Sequence, residues 1–237
     1  MHTKKEKNAA FTVVNNDMVI LELWLSYYSR YFDHLYVLGN GTDDSYGELK
    51  PLKEKYDFEF ERVQFIDSLD QLLIRLSEKQ VELLNIYKWV LYGNCDEFYI
   101  TDGIKYKDLK DMMDRTWKKQ IGSEGYEVIQ VDGEGPLDYT KPIFEQRKYW
   151  FKNTTMNKIS ISRVPLDWVL GHHKLSTMTD DESRDIKDTG LYLVHLKHAD
   201  MSAQRHFGPY LREFEMNLVN VGMENKELIP AEIRGML

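Results

Sequence analysis

Short apolar runs alternate with longer stretches of helical spacing along the first half of the chain. The strand-like runs lie at residues 9–14, 34–40, 57–65 and 88–94. Between them, residues 17–32 and 68–87 carry apolar side chains three and four apart, which is typical of amphipathic helices. Asp17 and Ser68 are placed to cap these helices. The pattern predicts an α/β fold, with a mixed, mostly parallel sheet and helices on both faces.

The second half of the chain is less regular. Strand-like runs at residues 126–131, 158–164 and 191–198 precede a helical pattern near the C-terminal end. No stretch rich in Pro, Gly and Ser divides the chain into separate units. We therefore expect one domain over residues 1–237, with a core at about 10–206 and a C-terminal helical extension at 207–237.

Composition narrows the classes of function. The net charge is −8, which argues against a nucleic-acid-binding surface. Cys95 is the single cysteine, so no intrachain disulfide is possible, and this suits a reducing compartment. Charged residues such as Glu22 and Lys88 interrupt the longest apolar stretches, and no signal-peptide core is evident. The sequence therefore predicts a cytoplasmic protein without a transmembrane segment.

Polar clusters follow three of the predicted strands. They lie at residues 15–17, 39–45 and 94–97. Because ligands of parallel sheets gather at the carboxyl ends of the strands, the three clusters together predict a binding site. Asp96 offers a carboxylate for Mg²⁺ or Mn²⁺, which bind through one or two carboxylates and substrate phosphates. Each cluster alone is equally typical of an ordinary turn.

Common nucleotide and hydrolase motifs are missing from the sequence. The run GNGTDDS at 39–45 lacks the third glycine of the dinucleotide fingerprint, and the chain has no GxxxxGK[ST], GxSxG or HExxH. Five of the seven histidines lie between His172 and His206, which favours one or two of them as metal ligands or phosphate donors. His195 and His198 would face opposite sides of a continuous strand, so we do not expect both to bind one ion.

Several motifs follow one another in an order that resembles the family 2-like glycosyltransferases with a GT-A fold. The matching positions are Glu22 and Trp24 in E-x-W, Asn40, Thr42 and Asp44 for N-x-S-x-D, and N-C-D-E-F at 94–98 for D-x-D-E-F. Residues 158–174 and 193–200 are similar to two later stretches of that family. The resemblance spans roughly Thr12 to His206.

The resemblance implies transfer of a sugar from a nucleotide-sugar, with a UDP-sugar as the expected donor, to a carbohydrate or glycoconjugate acceptor. It implies a hexosyltransferase-like enzyme of polysaccharide or glycoconjugate synthesis that meets a membrane only through its acceptor. A Mn²⁺ or Mg²⁺ ion is expected on Asp96 and His195. The expected donor-binding residues are Asn15, Asp44, Asn94, Asp96, Arg163 and Lys174.

More specific roles follow from the same resemblance. Asp44 stands where relatives hold the base and Asn94 where they hold the ribose, while Arg163 and Lys174 are expected at the phosphates. For inverting chemistry, Asp132 and Glu134 are the candidate catalytic bases that deprotonate the acceptor. Glu97 is expected to be structural, or to contact the metal ligands and not the metal, because its neighbour Phe98 belongs to an apolar run.

Asn94 is the main departure from the family pattern. It replaces the first acid of D-x-D, and an amide can hydrogen-bond a ribose but adds no charge for a metal. The acid expected after the first strand is either Asp17 or absent. Two alternatives therefore stay open: a metal-dependent hydrolase or phosphoesterase built on the acids and histidines, and a non-catalytic relative that binds nucleotide-sugars.

Overall fold

The computed structural model of the chain describes most of the predicted elements. The described residues are 7–15, 17–41, 49–64, 66, 68–169, 174–200 and 222–237. Asp44 lies outside these ranges, as do His172, His173 and His206. Residues 207–221 of the predicted C-terminal helical extension also lie outside them.

The described elements follow the predicted alternation in the first half of the chain. The strands are β1 Asn8–Val14, β2 His34–Gly39, β3 Glu59–Arg62, β4 Trp89–Tyr92, β5 Glu97–Thr101, β6 Gln120–Ile129, β7 Tyr149–Lys152, β8 Lys158–Ser162, β9 Trp168–Val169, β10 Lys174–Leu175, β11 Leu191–His195 and β12 Glu227–Leu228. The helices are α1 Met18–Tyr28, α2 Leu49–Lys55, α3 Leu69–Leu84, α4 Leu109–Arg115, α5 Ile143–Gln146 and α6 Asp180–Arg184.

Both predicted helix caps are present. The Asp17 carboxylate accepts a hydrogen bond from the Ile20 backbone N–H at 3.2 Å. The Ser68 hydroxyl accepts one from the Gln71 N–H at 3.4 Å. Each cap satisfies a backbone N–H that has no partner inside the helix, and so marks where the helix begins.

The sheet is mixed, as predicted. Strands β3, β2, β1 and β4 lie side by side and parallel, and β8 then pairs antiparallel with both β4 and β6. Strand β11 runs parallel to β6 and antiparallel to β5. Strands β1, β2, β4, β6 and β11 therefore all end at one edge of the sheet, and we call this edge the carboxyl edge.

Two apolar cores cover the two faces of the sheet and confirm the predicted α/β class. Along β1, Ala10 and Val14 face one core, which also takes in α1, α2 and α4. Phe11 faces the other core, which takes in α3 and the β9–β10 hairpin. The alternation follows from the two-residue period of a strand, and each face is buried because helices pack on it.

Of the predicted C-terminal helical extension, the structure describes residues 222–237. Residues 222–225 are helical, but β12 then pairs antiparallel with β7. Ile229 and Ile233 are fully buried in the same core as α1. Pro230 has no N–H to donate, so a helix could not continue through this point without losing a hydrogen bond. Within the described ranges, no helix has the length and apolar character needed to cross a bilayer.

Candidate active site

The turn between β4 and β5 presents Asp96 at the carboxyl edge. The Glu97 N–H donates to the Asn94 carbonyl at 3.0 Å and closes the turn. The Leu196 N–H donates to the Asp96 carbonyl at 3.0 Å and ties the turn to the end of β11. The Asp96 side chain is 31% exposed, so its carboxylate is open to a ligand.

His195 lies between two acids on neighbouring strands. It is in register with Glu97 on β5 and with Glu127 on β6, so the three side chains share one face. Its Nδ1 lies 2.9 Å from Glu127 Oε2, and its Nε2 lies 3.2 Å from Asp96 Oδ2. The imidazole therefore bridges a buried carboxylate and the partly exposed carboxylate of Asp96.

Glu127 joins His195 to a second histidine. His198 Nδ1 lies 3.2 Å from Glu127 Oε2, and the Asn153 amide donates to Glu127 Oε1 at 3.2 Å. We expected His195 and His198 to face opposite ways, but β11 ends at His195 and His198 lies in the following turn. Both rings consequently reach the same carboxylate.

The electrostatics of this group favour a charged imidazole. Burial alone would lower the pKa of His195, but the carboxylates of Glu127 and Asp96 raise it well above its ordinary value. Burial alone would raise the pKa of Glu127 and Asp96, yet both are lowered, mainly by His195. The two carboxylates therefore favour the protonated form of the His195 imidazole.

A second polar group lies directly beneath the turn. Lys158 Nζ pairs with Glu97 Oε1 at 2.6 Å, and the two side chains are 0% and 1% exposed. The Asn94 backbone N–H donates to Glu97 Oε2 at 3.0 Å, and its side-chain amide donates to Oε1 at 3.2 Å. The Tyr92 hydroxyl donates to Asn94 Oδ1 at 2.7 Å. Glu97 thus contacts Lys158 and Asn94, which is a structural role. The side-chain amide of Asn94 is hydrogen-bonded to Tyr92 and Glu97.

The loop at residues 130–137 lies beside the histidines. The Gln130 N–H donates to the His198 carbonyl at 3.1 Å, and the Leu137 N–H donates to the Asp200 carboxylate at 3.0 Å. These bonds hold the loop against the end of β11. The two candidate bases of the sequence analysis lie on this loop.

The two candidate bases differ in their surroundings. Asp132 is exposed at the tip of the loop. The Glu134 carboxylate accepts from the Val131 N–H at 2.9 Å and lies 3.8 Å from Nε of the buried Arg147. Asp132 is therefore the more accessible of the two, and Glu134 helps to shape the loop.

Arg163 and Lys174 do not join the Asp96 group. Arg163 follows β8, which runs antiparallel to β4, so it lies at the opposite edge of the sheet, with its guanidinium 5.1 Å from the Trp89 ring. Lys174 lies on the β9–β10 hairpin, which packs on the α3 side of the sheet. Its ammonium lies 2.5 Å from the Asp180 carboxylate. Asn15 is exposed at the carboxyl end of β1, where donor binding stays a prediction.

The other motif residues near the N-terminal half have structural contacts. Glu22 pairs with Lys55 at 2.7 Å on the surface, and Trp24 is fully buried. The Asn40 amide donates to the Ile66 carbonyl at 3.0 Å and accepts from its N–H at 2.8 Å. Asn40 therefore holds residue 66 against the carboxyl end of β2.

Sequence reasoning missed Glu127, Lys158 and Tyr139. Glu127 could have been noticed as a carboxylate inside a predicted strand, and Lys158 as a cation at the start of another. Tyr139 is not a charged residue in a predicted strand, so nothing in the sequence indicates it. Its pKa is raised to about 12 by burial and by the carboxylates of Asp200, Asp17 and Asp96.

The described residues at the carboxyl edge supply at most two ligands for a cation. In the part of the chain that the structure describes, no three His, Cys, Asp or Glu side chains converge on one metal position. Asp96 and His195 Nε2 offer two ligands, so oxygens from a substrate or water would complete the shell. Glu127 at Nδ1 is the partner that a ligating histidine usually has.

The sequence matches no known family in comparisons with protein families, and it matches no curated protein. Among solved structures, the fold is similar to a crystal structure of 4-diphosphocytidyl-2C-methyl-D-erythritol synthase. The similarity has a TM-score of 0.41 at 11% identity and covers 92% of this chain and 100% of that one. At this level the similarity carries no argument about activity.

Proposed function

We propose that the chain is a metal-dependent glycosyltransferase that moves a sugar from a nucleotide-sugar to an acceptor hydroxyl. The observation that carries the proposal is the Asp96–His195 pair, whose facing atoms lie 3.2 Å apart at the carboxyl edge. That edge is where α/β sheets bind their ligands. The motif order described above supplies the class of reaction.

The charges of the site support a divalent cation. Asp96, Glu97 and Glu127 contribute three negative charges, and Lys158 and a protonated His195 contribute two positive ones. Leaving aside His198, one net negative charge remains, and a divalent cation in place of the His195 proton would neutralise it. Neutralising buried carboxylates in this way removes an electrostatic cost.

The proposed roles follow from position. Asp96 and His195 would hold Mn²⁺ or Mg²⁺, and Glu127 would keep His195 Nε2 directed at it. The cation would offset the charge that grows on the leaving nucleoside diphosphate. Asp132 is the better placed general base, because it is exposed on the loop beside His198.

The same proposal includes the donor, the acceptor and the cellular location. A UDP-sugar is the expected donor and a carbohydrate or glycoconjugate the expected acceptor. Asn15 and Asp44 remain proposed donor contacts, with Asp44 at the base, whereas Arg163 lies at the opposite edge of the sheet. We propose a cytoplasmic setting.

A turnover assay tests the proposal. The purified chain would be given a panel of nucleotide-sugars with Mn²⁺ and mixed acceptors, and release of nucleoside diphosphate would be measured. We expect release with at least one donor, and its loss in Asp96→Ala and His195→Ala. Glu78→Ala, at an exposed acid on α3, is the control and should leave the rate unchanged.

Other results would point to the alternatives. Cleavage of phosphoesters that contain no sugar would indicate a hydrolase. Donor binding without turnover for every acceptor would indicate a non-catalytic relative. If no nucleotide-sugar binds with or without Mn²⁺, the proposed function is wrong.

A further inference from the structure

We propose that Asn94, Glu97 and Lys158 form a positioning network that fixes the Asp96 carboxylate against His195. In this network the asparagine at position 94 is required as a hydrogen-bond donor. Its presence is then not simply the loss of an acid that would bind a metal. The expected effect on donor binding rests on the proposed function. The expected effect on the position of the Asp96 carboxylate does not.

The network encloses the turn that carries Asp96. The Asn94 N–H donates to the Glu97 carboxylate, and the Glu97 N–H donates back to the Asn94 carbonyl, at 3.0 Å in each case. Leu196 holds the Asp96 carbonyl from the other side. The backbone on both sides of Asp96 is therefore held, and its carboxylate is directed at His195 Nε2.

Lys158 makes this arrangement possible. An ionised carboxylate that is almost completely buried is costly unless a cation and hydrogen-bond donors meet it. Glu97 Oε1 receives both the Lys158 ammonium at 2.6 Å and the Asn94 amide at 3.2 Å. Lys158 begins β8 at the carboxyl edge, which is why a residue 61 positions away reaches this turn.

Asparagine is the residue type that this contact needs. Its amide oxygen accepts from the Tyr92 hydroxyl while its amide nitrogen donates to Glu97. Aspartate at this position would place a second carboxylate next to Glu97, with only Lys158 to balance the two. An ionised aspartate also has no N–H with which to donate to Glu97 Oε1, so the hydrogen bond that the Asn94 amide makes would be lost.

The inference predicts that restoring the acid of D-x-D is harmful. Asn94→Asp is expected to weaken donor binding in Mn²⁺ by about tenfold or more, because small displacements of a positioned group are costly. Isothermal titration calorimetry would measure the dissociation constant of the donor. The experiment would be run at a temperature well below the melting temperature of the variant. NMR signals of the His195 imidazole, assigned with His195→Gln, would report the Asp96 contact without any donor.

Two further variants keep the test informative. Tyr92→Phe removes only the hydroxyl that supports Asn94, and should move the His195 signals in the same direction by less. Lys79→Met removes a buried ammonium on α3 that pairs with the more exposed Glu61 and Glu82, and it is the control. It should lower the melting temperature and leave both the His195 signals and donor affinity unchanged.

The outcomes separate the two proposals. If Asn94→Asp binds the donor as tightly as the parent chain, or more tightly, and the His195 signals do not move, the network proposal is overturned. If Asn94→Asp does not fold, unchanged His195 signals in Tyr92→Phe would overturn it as well. If no donor binds the parent chain but the His195 signals move in Asn94→Asp and not in Lys79→Met, the network stands and the glycosyltransferase proposal fails.

Discussion

Replacing Lys158 with methionine should produce a large and pH-dependent loss of stability. The substitution keeps most of the side-chain volume but leaves the Glu97 carboxylate, which is 1% exposed, without its cation. Removing one partner of a buried ion pair costs about 3–5 kcal/mol. For a chain of this size, that corresponds to a fall in the melting temperature of roughly 6–20 °C.

The pH dependence has a definite sign. Burial alone would raise the pKa of Glu97, but in the parent chain it is lowered, chiefly by Lys158 and His195. This stabilisation is therefore present at neutral pH and is lost as the pH falls through the lowered pKa. Without Lys158, burial dominates and the folded-state pKa rises above the unfolded value. The variant should then gain stability on acidification from neutral pH, because the carboxyl takes up a proton.

Urea unfolding followed by circular dichroism at pH 7 and pH 5 would measure both effects. The double variant Glu97→Gln with Lys158→Met removes both charges and should recover much of the loss. Lys55→Met is the control, since its pair with Glu22 is nearly as short but exposed, and it should change stability little. A loss below about 1 kcal/mol in Lys158→Met, with the pH dependence of the parent chain, would refute the reasoning.

Three more predictions concern other parts of the molecule. Gly125→Ala should destabilise the chain by about 1–3 kcal/mol in thermal unfolding, because the added methyl carbon would lie 2.4 Å from Met156 Cβ. Burial alone would raise the pKa of Glu61, but hydrogen bonds from Tyr36, Arg75 and Lys79 lower it to about 2, so its stabilisation is present near neutral pH and fades as the pH falls towards that value. The stability difference between the parent chain and Glu61→Gln should therefore shrink in urea titrations as the pH is lowered, and a constant difference would contradict this assignment. Finally, thermal stabilisation by a nucleotide-sugar should require Mn²⁺ or Mg²⁺ and disappear with a chelator; stabilisation that survives chelation would argue against the cation.

The engaged amide of Asn94 changes how the departure from D-x-D is interpreted. From the sequence, asparagine here suggests a weaker metal site or a non-catalytic relative. In the structure, its amide joins Tyr92 to Glu97, and the Asp96 carboxylate remains partly exposed next to His195. The hydrogen bonds of the Asn94 amide thus give this departure a structural explanation.

Local features of this chain could be predicted from its sequence. The parallel strands β1, β2 and β4, the helices α1 and α3, and the caps at Asp17 and Ser68 were all predicted. These features depend on side-chain periodicity and on hydrogen bonds between residues three apart, so neighbouring residues contain the necessary information. The polar cluster at residues 94–97, which follows β4, could be predicted for the same reason.

The environment of the site was decided only by the tertiary structure. Lys158 reaches Glu97 across 61 residues, and Glu127 reaches His195 across 68. The period of a strand tells which side chains share a face, but strand order and register decide what lies opposite them. A lysine at the start of a strand therefore looks like a surface residue in sequence. It becomes the buried partner of Glu97 because β8 runs antiparallel between β4 and β6 and begins at the carboxyl edge.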